Sequence, residues 1–339
     1  MGEQTRRLRI AMVAPPWFEV PPQGYGGIEA VCAGLVDRLV ARGHRVTLIG
    51  AGRDGTGADY VDLVHDHTLA GPLLAAGRPV PTVVTVHGPV DGELGDYYRR
   101  LGGRVALVAI SDAQRRAAAD LPWVATVHNG IDVDAYPFIL DKEGFVLFLG
   151  RFGPEKGAHL AIDAARQAGR PILLAGKCSE PAERAYFLAE ISPRMGQDVW
   201  LFGEAGAVAK RDLLSRARCL VFPACWEEPF GMVLIEALAC GTPVVALGRG
   251  SVPEIVADGV TGFVCGDVTE LPAAIEAAGT LDPRRWRDRV RERFDLDAMV
   301  AGYEAVYRRV LASSGRLRWA ARPVDPGGLR RPTPLGGSS

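Results

Sequence analysis

Residues 144–176, GFVLFLGRFGPEKGAHLAIDAARQAGRPILLAG, contain the pattern that decides the fold of this chain. An apolar run ends at a glycine turn, helical spacing follows over residues 156–168, and a second apolar run begins after Pro171. A strand, a helix and a strand in this order form a parallel pair joined by a crossover helix. The stretch therefore predicts one unit of an α/β domain built on a parallel sheet.

The same alternation extends in both directions along the chain. Towards the amino terminus, the predicted strands are LRIAMVAP, HRVTLIG, VDLVHDH, PTVVTVHG, RVALVAIS and WVATVHNG, with a helix over residues 28–42. Towards the carboxyl terminus, they are DVWLFG, CLVFPA and TPVVALG, with helices over 181–191 and 208–217, one that opens near Gly231, and closing helices over 282–312. Two doubly wound, Rossmann-like domains of an α/β fold, facing a central cleft, are predicted.

The predicted domains cover residues 1–138 and 139–312, and the Gly-, Pro- and Arg-rich segment 313–339 is predicted to be a flexible tail. A chain of 339 residues is long enough for two such cores. The net charge of −1 gives no chain-wide basic field, which argues against nucleic acid or an anionic membrane as partner. Oligomeric state is left open.

The cysteines and the hydropathy pattern indicate in which compartment of the cell the protein is expected. The six cysteines form no C-x-x-C pair and several lie in apolar runs, which favours buried, reduced thiols. No apolar run approaches membrane-spanning length, and the amino terminus lacks the apolar core of a signal peptide. We therefore expect a cytoplasmic protein without a transmembrane segment.

Ligands of open α/β sheets bind beyond the carboxyl ends of the strands. After the first strand, Gly24, Gly26 and Gly27 lead into a helix, where backbone N–H groups can approach a phosphate closely. Because Glu29 takes the last position, the spacing is not G-x-G-x-x-G, and a nicotinamide site is disfavoured. The alternative is a glycine loop that only turns the chain.

The turn GRFGPEKG places Arg151 and Lys156 after a strand of the second domain. A planar guanidinium and a flexible ammonium at such a junction suit a diphosphate. The order of residues is not that of a P-loop. Solvated surface charge is the alternative.

The stretch WEEPFGMVLIEALACG, residues 226–241, carries the carboxylates Glu228 and Glu236. Eight helical steps span about 12 Å, which is too far for a glycosidase pair acting on one bond. The helix start between them offers the backbone N–H groups of Phe230, Gly231, Met232 and Val233 to an anion. The two carboxylates are therefore predicted to hold opposite ends of one extended ligand, a nucleotide sugar. A capping acid and an incidental helix Glu are the alternative.

Several of these segments together resemble glycosyltransferase family 4, the retaining enzymes with the GT-B fold. The resemblance is carried by ACWEEPFGMVLIEALACGTPVVALGRGSVPEIVADGVTGFV, by GRFGPEKG, by GYGGIEAVCAGLVDRLVARGHRV and by HNGID. It covers residues 9–311. The amino-terminal half, which selects the acceptor in the family, is short here, so the acceptor is left undetermined.

The resemblance implies a role for each matching residue. Glu228 would contact the donor sugar, Arg151 and Lys156 would neutralise the diphosphate, and His87, at the end of TVVTVHG, would reach the sugar from the first domain. Glu236 would bind the ribose. The backbone at Gly26, Gly27, Met232 and Val233 would help to hold the phosphates, and the base would lie near Ala205 and Lys177.

The implied reaction moves a sugar from a nucleotide diphosphate sugar to a hydroxyl of a small-molecule or glycan acceptor, with retention. The departing diphosphate oxygen would help to deprotonate the acceptor. UDP is expected because it is the family's commonest leaving group, and neither a metal nor another cofactor is expected. The Arg-, Ala- and Gly-rich composition is typical of actinobacteria, which associates the chain with antibiotic or cell-envelope glycosylation.

Two other functions remain open. The same fold can carry a nucleotide-sugar epimerase or hydrolase, and it can serve as a non-catalytic nucleotide-sugar sensor. Turnover of a nucleotide sugar separates a transferase from a sensor.

Overall fold

A computed structural model describes residues 7–16, 20–22, 26–50 and 61–314, in which the chain forms two six-stranded parallel sheets. The strands are β1 Arg9–Val13, β2 Arg45–Ile49, β3 Leu63–Asp66, β4 Thr82–Val86, β5 Ala106–Ala109, β6 Trp123–Thr126, β7 Val146–Leu149, β8 Ile172–Ala175, β9 Val199–Gly203, β10 Cys219–Phe222, β11 Val244–Leu247 and β12 Gly262–Cys265. The helices are α1 Gly27–Ala41, α2 Gly92–Leu101, α3 Asp112–Ala117, α4 Ala158–Gln167, α5 Pro181–Tyr186, α6 Ala207–Arg216, α7 Met232–Ala239, α8 Val252–Ile255, α9 Leu271–Ala278, α10 Arg287–Phe294 and α11 Leu296–Ser314. The predicted α/β class is confirmed. Gly24 and the segment 315–339 lie outside the described residues.

The first sheet has the strand order β2-β1-β3-β4-β5-β6. Its central strands β3 and β4 are buried over their whole length, and in β4 all five residues of TVVTV are buried. Continuous apolar strands of this kind need cover on both faces of the sheet. The strand order reverses between β1 and β3, which makes their carboxyl ends the switch point of this sheet.

The second sheet has the order β12-β11-β10-β7-β8-β9 and reverses between β7 and β10. The stretch 144–176 forms β7, α4 and β8 as predicted. The helix begins two residues later than expected because Pro154–Lys156 form a 3₁₀ turn that ends at the left-handed Gly157, with φ 69°. This extra turn places Lys156 at the carboxyl edge of the sheet, beside the switch point.

Two elements at the end of the second sheet have no counterpart in the predicted pattern. They are β12, which pairs with β11, and α9, which follows it. The segment GFVC is short and opens with glycine, so it lacks a strand's usual signal. Gly262 is required there because a Cβ at this position would collide with the backbone of Val244.

The last two helices lie on different sheets. Helix α10 packs against α7, whereas α11 packs against α1, and its Tyr303 and Tyr307 are fully buried in the core of the first sheet. The predicted range 139–312 thus includes a helix that returns to the first sheet. The chain crosses between the sheets at 131 and again at 295, and the Ile131 N–H donates to the Phe294 carbonyl at 2.9 Å.

Gly157 joins the turn after β7 to the chain that leaves β10. A Cβ at Gly157 would collide with the Pro223 carbonyl oxygen, and the Cys225 N–H donates to the Glu155 carbonyl at 2.8 Å. Only glycine permits both this close approach and the left-handed backbone.

We expect Gly157→Ala to lower the free energy of unfolding by about 1–2 kcal/mol through the left-handed Cβ. Displacement of the Pro223 backbone adds about 1–3 kcal/mol. The control is Gly144→Ala, because a Cβ at that exposed position meets no atom within 4 Å. Urea unfolding of both variants measures the difference, and equal midpoints would contradict the role assigned to Gly157.

Candidate active site

The pair Lys156 and Glu228 lies at the switch point of the second sheet. Lys156 follows β7, Glu228 follows β10, and the Lys156 Nζ is 2.6 Å from the Glu228 Oε2. The indole Nε1 of Trp226 donates to the same oxygen at 3.0 Å. The Lys156 ammonium lies 4.8 Å from the centre of the Trp226 ring. A cation, a carboxylate and an aromatic ring therefore form one largely buried cluster.

The loop that carries Glu228 is held by the turn after β11. The Ser251 N–H donates to the Glu228 carbonyl at 3.0 Å, and the Ser251 hydroxyl donates to the Phe230 carbonyl at 2.7 Å. The Gly250 N–H donates to the Glu227 carboxylate at 2.7 Å. These bonds fix the backbone on both sides of Glu228, so its side chain enters the site from a rigid loop.

Arg151, the other predicted diphosphate ligand, is engaged by two carboxylates. Its guanidinium is 3.0 Å from Glu155 and 3.2 Å from Glu183. Burial raises the pKa of Glu183, but hydrogen bonds from the Glu180 and Ser179 N–H groups and from Arg151 outweigh it, so the net pKa is lowered. A diphosphate at Arg151 would thus have to replace carboxylate oxygens with phosphate oxygens.

Helix α7 separates the two carboxylates as the sequence predicted. Gly231 precedes the helix in a left-handed conformation, with φ 76°, and the first N–H groups, those of Met232 and Val233, have no earlier helical carbonyl to bond. Glu236 lies in the second turn and is buried. It accepts a hydrogen bond from the Tyr136 hydroxyl at 3.0 Å and contacts the Lys210 ammonium.

The two residues predicted near the base follow the two strands at the β9 end of the sheet. Lys177 follows β8 and Ala205 follows β9. Ala205 packs against the same core as Met232 and Val233 of α7. The predicted donor ligands thus follow one line along the carboxyl edge, from β10 past β7 to β9.

The first sheet places the remaining predicted residues at its own carboxyl edge. Gly26 and Gly27 open helix α1, and a Cβ at Gly27 would meet no atom within 4 Å. His87 follows β4, and its Nε2 is 2.8 Å from Nδ1 of His67. Among the described residues, no hydrogen bond joins His87 to Lys156 or Glu228. The structure thus groups the site residues on two edges.

Comparisons with known proteins identify the chain's relatives. The family model described as glycosyl transferases group 1 matches residues 135–292. Alpha-maltose-1-phosphate synthase of Mycolicibacterium smegmatis is 30% identical over an alignment of length 396. The alignment covers 90% of this chain and 100% of that protein. The chain belongs to the glycosyl transferases group 1 family.

Two solved structures superimpose on the chain. AviGT4, a glycosyltransferase involved in avilamycin A biosynthesis, superimposes with a TM-score of 0.74 at 30% identity, covering 90% of this chain and 98% of that one. Anabaena HepE in complex with UDP and glucose has the same fold, with a TM-score of 0.71 at 19% identity. The match covers 89% of this chain and 100% of that one. The GT-B fold and membership of a type-4-like glycosyltransferase group are thereby confirmed.

Some residues of this group 1 site were not predicted. Trp226, Tyr136 and Lys210 touch the two key carboxylates, yet Tyr136 and Lys210 are 100 and 26 positions from Glu236. Cys225 is exposed where buried thiols were expected, because it follows β10 in the site loop. All six cysteines are free.

Two D-x-D triplets occur at residues 132–134 and 295–297. Their carboxylates contact backbone N–H groups and arginines: Asp134 pairs with Arg291 at 2.8 Å, and Asp295 accepts from the Val133 N–H at 3.3 Å. Within the described ranges, no group of three or more His, Cys, Asp or Glu could hold a metal ion. In the same ranges, no helix has the length and apolar character needed to cross a membrane.

Glu254 of α8 links the carboxyl edges of the two sheets. Its carboxylate accepts from the backbone N–H groups of Asp112 and Ala113, which start α3, and contacts His128 at 3.2 Å. Burial raises the pKa of Glu254, but these hydrogen bonds outweigh it, and the net pKa is lowered. The contact is therefore complete above the ordinary glutamate pKa of about 4.3 and weakens as the pH falls through the lowered value.

We expect Glu254→Ala to weaken the contact between the sheets by about 1–3 kcal/mol, since it removes a charged hydrogen-bond acceptor. Small-angle X-ray scattering should show a larger radius of gyration at pH 7. Glu270→Ala is the matched control, because the Glu270 carboxylate accepts from the Gly266 N–H at 2.9 Å within one domain. An unchanged scattering curve for Glu254→Ala would show that other contacts hold the sheets together.

Proposed function

We propose that this group 1 glycosyltransferase moves a sugar, with retention, from a nucleotide diphosphate sugar to a hydroxyl of a small-molecule or glycan acceptor. One observation carries the proposal: the Lys156–Glu228 pair, 2.6 Å apart, lies at the switch point beside the start of α7, whose second turn carries Glu236. A cation and free helical N–H groups suit a diphosphate, and the flanking carboxylates suit hydroxyls.

In the proposed complex, each group has one task. Glu228 accepts a hydrogen bond from the donor sugar, and Glu236 accepts from the ribose. Lys156, Arg151 and the N–H groups of Met232 and Val233 stabilise the charge that develops on the departing diphosphate. Lys177 and Ala205 lie where the base would rest, and Gly26, Gly27 and His87 approach the donor from the first domain.

The proposed route to retention needs no protein nucleophile. Glu228 already accepts hydrogen bonds from Lys156 and Trp226, which supports a role in holding hydroxyls. The leaving diphosphate oxygen, stabilised by Lys156 and Arg151, takes the acceptor proton as the new bond forms on the same face. Because these cations and the helix N–H groups supply the positive field, we propose that the reaction does not depend on a metal.

The resemblance to glycosyltransferase family 4 also supports a proposal for the donor nucleotide and the pathway. UDP is the proposed leaving group, and the cytoplasm the proposed location. The avilamycin role of AviGT4 and the actinobacterial composition support an acceptor from antibiotic biosynthesis. Sensing without turnover and sugar epimerisation or hydrolysis are the alternatives that the experiments below separate.

Incubation with radiolabelled nucleotide sugars and hydroxyl acceptors tests transfer. We expect product with an α-linked sugar from an α-linked donor, and kcat lower by roughly 10²–10³-fold in Lys156→Ala, since it removes a charge that stabilises the leaving group. Glu228→Gln should lose activity as well. Arg166→Ala, which breaks an exposed ion pair with Asp198, is the control with full activity. Nucleotide binding without transfer or hydrolysis across the panel would favour a sensor.

Thermal shifts with UDP, GDP, ADP and TDP identify the base. A ligand that binds only the native state at 100 times its Kd stabilises it by about 2.7 kcal/mol, which raises the melting temperature. We expect the largest shift with UDP and a smaller one in Glu236→Gln, because the neutral amide is a weaker acceptor for the ribose hydroxyls. A larger shift with another nucleotide would reject UDP.

A further inference from the structure

Two histidines meet at the carboxyl edge of the first sheet. His67 follows β3 and His87 follows β4, the neighbouring strand, and the His67 Nδ1 is 2.8 Å from the His87 Nε2. His87 is half-buried, whereas His67 is only 4% exposed. The other nitrogen of His67, Nε2, is buried and has no hydrogen-bond partner among the described residues.

The surroundings hold the His67 ring in place. The His65 ring lies 4.2 Å from it, centre to centre. Both nitrogens of His65 are engaged, Nδ1 with the Tyr307 hydroxyl and Nε2 with the Thr85 hydroxyl, each at 2.8 Å. Tyr303 also bonds Thr85, at 2.8 Å. Helix α11 thus fixes His65, and the packed His65 ring limits rotation of His67.

Both members of the pair are neutral at pH 7. Burial lowers the pKa of His87 to about 4. Burial, with the nearby His65 and His87, lowers the pKa of His67 well below its ordinary value. A neutral imidazole carries one N–H, so the contact between the rings uses a proton from one of them.

Two arrangements of the protons are possible. In the first, His67 Nδ1–H donates to His87 Nε2, and the buried His67 Nε2 is a bare acceptor. In the second, His87 Nε2–H donates, and the buried His67 Nε2 carries an N–H without an acceptor. Orphaned buried N–H groups are rarer than unmatched acceptors. The first arrangement is therefore favoured, and it places the only proton of His87 on Nδ1.

We propose that His67 is a positioning residue that fixes the tautomer of His87, so that His87 meets its ligand as a hydrogen-bond donor through Nδ1. The inference rests on the proposed function only in naming that ligand, an oxygen of the donor sugar. His87 then has no basic nitrogen free: Nε2 accepts from His67, and Nδ1 is protonated. His87 orients the sugar, and the acceptor proton leaves by way of the diphosphate.

Nitrogen NMR of the ¹⁵N-histidine-labelled protein tests the tautomer directly. We expect His87 to show a protonated, pyrrole-type Nδ1 and a pyridine-type Nε2, and His67 to show the same pattern. His87→Gln identifies the His87 signals by their loss. A proton on His87 Nε2 in the wild-type protein would overturn the inference. This measurement needs no substrate, so it stands whether or not transfer is detected.

A pair of variants tests the positioning role. In His67→Asn the amide N–H can still donate to His87 Nε2, whereas His67→Leu offers no donor. We expect His67→Asn to keep most of the kcat and the Nδ1–H signal, and His67→Leu to show mixed tautomers. For metal-ligating histidines, removal of the outer hydrogen-bond partner typically costs about ten- to hundredfold. We expect a loss of kcat of this size for His67→Leu.

Nucleotide binding separates this role from general damage to the fold. His67 is not among the predicted nucleotide ligands, most of which lie on the second sheet, so the thermal shift with UDP should be equal in both variants and in the wild-type protein. A loss of kcat in His67→Leu with an unchanged His87 tautomer would contradict the proposal. So would equal losses of kcat in His67→Asn and His67→Leu.

Discussion

Both passages of the chain between the two sheets meet at Ile131 and Asp295, and the orientation of the two domains depends on this meeting. The Ile131 N–H donates to the Phe294 carbonyl, and the Leu296 N–H donates back to the Ile131 carbonyl at 3.0 Å. A Cβ at Gly130 would come within 2.8 Å of the Asp295 carbonyl oxygen. Two crossings bonded in this way allow the carboxyl edges of the sheets to face each other, with Glu254 bridging them.

The cations of the candidate site are paired with carboxylates in the structure. The cations predicted to bind diphosphate already have carboxylate partners, Lys156 with Glu228 and Arg151 with Glu155 and Glu183. These partners compensate the positive charges while no anion is bound, which matters because an unpaired charge in a partly buried site is costly. In the proposed complex, a diphosphate would replace these carboxylates at the two cations, and Glu228 would be available to the sugar without leaving its loop.

Much of the fold was predictable from the sequence because its signals are local. Short β-branched runs and helical spacing depend on neighbouring residues, so β7, α4 and β8 matched expectation to within two residues. The strand β12 was not predicted, since GFVC is short and its burial comes from pairing with β11. The placement of Glu228 and Glu236 on either side of an α7 start was also predictable, because it follows from the helical rise.

The sequence by itself determined the class of fold and the residue types at the strand ends, since apolar periodicity and glycine turns act over a few residues. Only the tertiary structure decided the strand orders, the return of α11 to the first sheet, and the partners of each site residue. Lys156 and Glu228 are 72 positions apart, and His65 and Tyr307 are 242. Contacts at such separations arise from the winding of the sheets, which no local pattern encodes.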